Sequence, residues 1–297
     1  MSDDGRHGLS IIALIGSVFS PYYALQRRRG KSDALDHVAM NVALYSRNGK
    51  RWAMTERGRN DLTRAPDSLA IGPSRLAWSG DGLTIDIDEI AVPLPRRVKG
   101  RVKLYPSALQ PKTFALDAGG LHVWQPIAPV ARVEVEFEHP ALSWRGHGYF
   151  DRNAGAAPLE DAFQRWHWSR SGEAERSLIL YDVTTRAGEA YPLALDIGKD
   201  GVAKPFEPPP VAVLPSTYWR IARTTRSDSA HPARVVKTLE DAPFYARSIV
   251  SSRIDGRAVS AMHESLDLDR FNMKIVQAML PFRMPRHASA SKGGTQR

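Results

Sequence analysis

The 297-residue chain contains no cysteine. Disulfides, thiol nucleophiles and thiolate-held metals are thereby excluded, and nothing marks an oxidising compartment. Long apolar runs are missing too. The longest, LSIIALIGSVF from Leu9 to Phe19, falls well short of the roughly 20 residues that a membrane-spanning helix needs. Asp3 and Asp4 precede it and no small-residue cleavage site follows, so it reads as a buried strand rather than a signal peptide. Glycine-rich phosphate loops, a nucleophile elbow, zinc-type spacings and recognisable nucleic-acid modules are likewise absent. A cytoplasmic protein without a nucleic-acid partner is expected.

What is present is ordinary in bulk and uneven in detail. Hydrophobic residues make up 42% and charged residues 25%, as in a globular protein with a sizeable core. Lys and Arg number 41 against 32 Asp and Glu, a net charge of +9, which favours anionic partners. The basic residues cluster at Arg27 to Lys31, Arg96 to Lys103 and from Arg283 onward, a pattern that suits a solvated basic face or peripheral contact with an anionic membrane.

The patterning is β. In ARVEVEFEHP, Val133, Val135 and Phe137 alternate with Glu134, Glu136 and Glu138, the period of a half-buried strand. DGLTIDIDEIAVPLP alternates in the same way, and RSLILYDVTTRAGEAYPLALDI reads as two strands joined at Ala187-Gly188. The 43 Gly and Pro residues punctuate short strands, as in sandwiches and barrels. One helix is expected over Leu268 to Leu280, entered through Asp267 or Asp269 and stopped by Pro281. GAAPLEDAF is read as a domain boundary, giving domains 1–156 and 157–287, with 288–297 as a disordered tail.

Three stretches concentrate chemistry. LHVWQP sets His122 and Trp124 on one strand face; HGYFDRNAG does the same for His147, Tyr149 and Asp151; RWHWSR puts Trp166 and Trp168 on one side and His167 on the other. Trp is costly to leave in water, so these faces are expected to be buried. The plain alternative is that the polar groups satisfy one another. No HxH, HxxxH or HxD pair stands in a ligand arrangement, so a metal is not expected. What remains is an aromatic cavity with a carboxyl and an imidazole, suited to making and shielding a carbocation. At its unperturbed pKa near 3.9 only about one Asp in a thousand is protonated at pH 7, a handicap of about 4 kcal/mol that burial can reduce. The neutral acid can protonate an alkene, and a desolvated aromatic face holds a cation by about 2 kcal/mol.

GSVFSPYYA, DHVAMNVALY, WAMTERG, FALDAGGLHVWQPIAP, GHGYFDRNAGAAPLEDAF and MLPFRMPR, taken together, resemble the carotenoid 1,2-hydratases, or hydroxyneurosporene synthases. The resemblance implies an all-β fold of two lipocalin-like antiparallel barrels side by side, with a short C-terminal helix. It implies cofactor-free addition of water across the terminal C1–C2 double bond of acyclic carotenes such as neurosporene or lycopene. A His-x-Trp pair and a Tyr-x-Asp pair are tied to catalysis in that family, and they match His122, Trp124, Tyr149 and Asp151. Asp151 would be the acid, Trp124 and Tyr149 would line the cation, and His122 would orient water or return the proton. His147, Trp166 and Trp168 are further candidates for lining the substrate. The same scaffold also suits a carrier of hydrophobic ligands or a pericyclase-like enzyme.

Overall fold

A computed structural model of the chain describes all residues except 48, 81 and 288–297. The expected disordered tail thus lies outside the described residues. Antiparallel strands dominate. Gly8–Ile15, Val38–Ser46 and Gly49–Arg57 form a three-stranded sheet in that order. The Leu9 run is a strand as read, although only Gly8 in it is buried and the rest is half-buried. A meander follows through Leu62–Ala65, Ser68–Ile71, Ser74–Ser79, Gly82–Ile90 and Arg97–Pro106, each strand pairing with the next. Two long strands come next, His122–His139 and Leu142–Gly155. In the first, Val133, Val135 and Phe137 are buried as their alternation predicts.

The later chain builds a seven-stranded sheet. Its order is Ala203–Pro205, Ala190–Gly198, Arg176–Thr185, Phe163–Gly172, Arg257–Asp267, Tyr245–Ile254 and Arg234–Asp241. A separate hairpin pairs Val211–Leu214 with Arg223–Arg226. One face of the seven-stranded sheet buries Leu178, Leu180, Ala194, Ile254 and Val259 against Phe206.

The chain divides into two compact units, but not at residue 156. Among the described residues one unit comprises 1–105, 133–146 and 278–287; the other comprises 106–132 and 147–277. The division differs from the expected one because both long strands supply residues to each unit, and because the chain's last described segment returns to the first. GAAPLEDAF is no boundary; it holds a short helix, Leu159–Ala162, inside the second unit. The C-terminal helix is also shorter than expected. Asp267 caps Leu268–Asn272 by accepting from Arg270 N at 3.0 Å. The helix breaks at Met273, resumes over Lys274–Met279 and tightens to a 3₁₀ turn at Leu280–Phe282, so Pro281 sits within the last turn instead of ending the helix.

In the first unit the returning segment is tied down firmly. Glu56 N donates to Pro285 O and His287 N to Glu56 O, while Met284 packs with Ala39 and Met54 against Leu14, Phe19 and Trp52. Arg286 reaches the fully buried Glu56 with Nη1 at 2.5 Å, and Asp36 with Nη2 at 3.0 Å. His37 Nδ1, also fully buried, lies 2.7 Å from the same Glu56 oxygen.

Candidate active site

The reactive face belongs to the second unit and is assembled from three strands. Asp117 folds back ahead of the first of them, where Gly120 takes φ +63° and its N–H donates to Asp117 O. Asp117 Oδ1 then accepts from Leu121 N at 3.0 Å and Oδ2 from His122 N at 2.8 Å. Its Oδ2 also lies 2.8 Å from His122 Nδ1. Burial works to raise the Asp117 pKa, but the bonds from the His122 ring and the two backbone N–H groups outweigh it and hold it below the usual value.

The other ring nitrogen of His122, Nε2, lies 2.9 Å from the carbonyl oxygen of Ala157, which can only accept. Both nitrogens therefore face acceptors. His122 is buried, edge-on to Phe163 with centroids 4.9 Å apart. Gly155 leaves room for the ring, since a Cβ there would stand 2.7 Å from His122 Cδ2.

Two residues along the strand, Trp124 is fully buried and donates its indole N–H to Asp151 Oδ2 at 2.8 Å. Tyr149 lies two residues before Asp151 on the neighbouring strand, and its hydroxyl donates to the same oxygen at 3.0 Å. Two donors thus saturate Oδ2. Oδ1 has no partner among the described residues and is where the proton of the neutral acid belongs. Asp151 keeps some accessible surface, as a group that must meet a substrate has to. Even so, its surroundings raise its pKa to about 6. Burial is the main cause; the Trp124 and Tyr149 bonds oppose it, the Glu264 charge adds to it, and Arg170 works against it.

Aromatic rings surround this group. Tyr181 stands 5.0 Å from Trp124 and 5.4 Å from Trp166, and Phe114 lies 5.6 Å from Trp124. Trp168, paired in register with both Tyr181 and Glu264, is half-buried 5.9 Å from Tyr149. The Arg170 guanidinium sits 4.8 Å over the Tyr149 ring and donates to the Pro129 and Gly148 carbonyls. Burial lowers its pKa to about 10, which leaves it cationic at neutral pH. Burial together with the Asp151 charge pushes the Tyr149 phenol well above its ordinary pKa, so it stays a neutral donor.

Of the residues singled out by sequence, Trp124, Tyr149 and Asp151 share one hydrogen-bonded centre, and Trp166 and Trp168 belong to its aromatic surround. His122 shares the strand of Trp124, yet its nitrogens bond to Asp117 and Ala157, away from Asp151. His147 lies apart, with Nε2 3.5 Å from Arg132 Nη1. His167 is on the opposite side of its strand from the two tryptophans. There it bonds Ser265 Oγ at 3.0 Å and stacks 6.1 Å from His263; burial pushes these two imidazoles down to about 3 and about 4. Asp117, Arg170 and Tyr181 were not anticipated. Asp117 carried a signal, since an Asp followed by Gly-Gly and then by a strand-opening His is a side-chain-to-backbone turn.

Three comparisons bear on this geometry. The family described as carotenoid hydratase CrtC matches residues 11–293. An acyclic carotenoid 1,2-hydratase from Thiocapsa roseopersicina is 57% identical over 287 residues, covering 96% of this chain and 71% of that protein. One from Rubrivivax gelatinosus is 48% identical over 291 residues, covering 97% and 72%. In three dimensions the chain is similar to the crystal structure of a protein described as AttH from Nitrosomonas europaea. The TM-score is 0.61 at 13% identity, covering 90% of this chain and 88% of that one. That likeness speaks to the fold.

Proposed function

Since the chain belongs to the carotenoid hydratase family, we propose that it adds water across the terminal C1–C2 double bond of an acyclic carotene, with Asp151 as the acid. The observation that carries this reading is the Asp151 carboxyl, with one oxygen held by two donors and its pKa raised to about 6. At that value about one molecule in ten is protonated at pH 7, and the handicap falls from about 4 to about 1 kcal/mol. Oδ1 gives its proton to C2, and the positive charge settles at the tertiary carbon C1. The half-buried faces of Trp168 and Tyr149 flank the acid and shield the cation. Water bonds to C1 and loses a proton, which Asp151 takes back, so the enzyme ends as it began. No cofactor enters this reading. Trp124 positions the acid through its N–H. His122, with both nitrogens engaged, braces the turn at Ala157 and is not the base in this scheme.

The direct test is incubation of purified protein with detergent-dispersed lycopene or neurosporene. A tertiary alcohol heavier by one water supports the reading; carotene recovered bound and unchanged favours a carrier. A second expectation concerns pH. Chemistry needs the protonated acid, so kcat should be level below about pH 6 and fall about tenfold per unit above it. A profile measured from about pH 5 to about pH 8 checks this, and a rate that climbs with pH would remove Asp151 from the proton step.

Gly155→Ala tests the role of His122. The added methyl collides with the imidazole, and a displacement near 1 Å at a positioning group can cost about a hundredfold in rate. We expect kcat to fall by about that factor, with unchanged circular dichroism. The substrate dissolves in lipid, and the chain carries a net charge of +9. Peripheral contact with an anionic membrane from the cytoplasmic side is part of the same proposal.

A further inference from the structure

The hairpin of the second unit, Val211–Leu214 with Arg223–Arg226, carries an eight-residue loop that absorbed none of the chemistry above. Its tip is Tyr218-Trp219-Arg220. Tyr218 is 93% exposed, Trp219 41% and Val213, on the adjoining strand, 81%. Tyr and Trp are rarely left this open without a partner, since each has a large apolar body.

The loop is built rather than loose. Arg220 N donates to Thr217 O and Thr217 N to Ile221 O, while Ile221 N donates to the Thr217 hydroxyl. Ile221 and Leu214 are buried beneath the tip. Two buried or half-buried guanidinium groups hold it from below. Arg223 donates to Pro215 O from Nε at 2.8 Å and from Nη2 at 2.5 Å, and Arg270 donates to Trp219 O at 2.5 Å. Asp241 accepts from Trp219 N at 3.2 Å. Arg220 itself sits at φ +58°, a left-handed conformation that glycine would adopt without strain. A strained cationic residue at an exposed, preorganised aromatic tip is the kind of feature that persists where it is used.

We propose that this tip docks the protein on the surface of an anionic lipid bilayer. Tyr and Trp favour the headgroup level, where an apolar ring and a polar edge are both accommodated. Arg220 and the overall charge of +9 complement acidic headgroups. The inference rests on the hydratase reading in one respect, namely that the substrate is dissolved in lipid. The tip lies in the unit that carries Asp151.

The test uses the whole protein and two assays. In sedimentation with phosphatidylcholine vesicles, with or without phosphatidylglycerol, wild type should bind the anionic vesicles and be released by salt. The double variant Tyr218→Ser/Trp219→Ser should bind about tenfold or more weakly. Arg220→Gly relaxes the backbone while removing the charge, and it should weaken binding to the anionic vesicles only. Val202→Ser alters an exposed apolar residue elsewhere in the unit and should change nothing. Turnover of vesicle-borne lycopene should fall in parallel with binding, whereas turnover of detergent-dispersed lycopene should stay at the wild-type level. Full vesicle binding by the double variant would overturn the proposal. So would wild type that ignores lipid vesicles yet binds native membranes until they are treated with protease, which would point to a protein partner. Inactivity of wild type in detergent would count against the hydratase reading alone and leave the vesicle result standing.

Discussion

Asp151→Asn is expected to lower hydration by about three orders of magnitude, at the upper end of what a general acid contributes, while leaving the fold intact. The carboxamide oxygen can accept from Trp124 Nε1 and the Tyr149 hydroxyl as Oδ2 does now. Its amide nitrogen takes the place of Oδ1, with no acidic proton to give. Substrate binding is therefore retained and the first proton transfer is lost. Stability should move the other way. The folded pKa of about 6 lies above the unfolded value of 3.8, so burial favours the neutral acid. Wild type then loses stability as pH rises from about 4 to about 6, by about 3 kcal/mol in total. Asparagine does not ionise. The variant should unfold at higher denaturant than wild type at pH 7, with the two converging near pH 4. Chromatography of carotenoids beside urea titrations reads both arms, and full activity in a stable Asn variant would end the assignment.

The second large effect lies in the other unit. Arg286→Ala should destabilise the protein by about 3–5 kcal/mol, because it takes the guanidinium from a fully buried carboxylate and leaves Glu56 with the His37 ring alone. The melting temperature should drop by on the order of 10 °C. Removing both partners, as Glu56→Gln with Arg286→Met, should recover most of the loss, since the cost lies in the unpaired charge and not in the missing bond. A double variant as unstable as the single one would show that packing of the Arg286 stem is what matters.

How legible these features were in sequence depended on range. Period-two strands such as Ala131 to Pro140 could be read because a sheet with one wet face forces alternation. The pairs His122/Trp124 and Tyr149/Asp151 could be read because i, i+2 spacing is fixed by the strand itself. That Trp124 and Tyr149 converge on one oxygen of Asp151 could not, since strand register and side-chain reach lie outside spacing. The break at Met273 was hidden because nothing in KIVQAML disfavours a continuous helix. The Glu56 cluster was hidden most deeply, because its members occur singly among apolar residues and Arg286 is 230 positions from Glu56.

That separation has a temporal meaning. A nascent chain emerges from its N-terminal end, so Glu56 and His37 leave the ribosome long before Arg286 has been joined to the peptide. Until then Glu56 lacks its guanidinium partner, and the apolar seat that Met284 fills stands open. The sheet translated first is thus the one completed last. During synthesis the second unit, whose residues run from 106 to 277 apart from the loan of 133–146 to the first, can reach its native contacts ahead of the sheet that precedes it in the chain. A pulse of protease on stalled ribosomes would find the first unit cleavable until Met284 and Arg286 have left the exit tunnel.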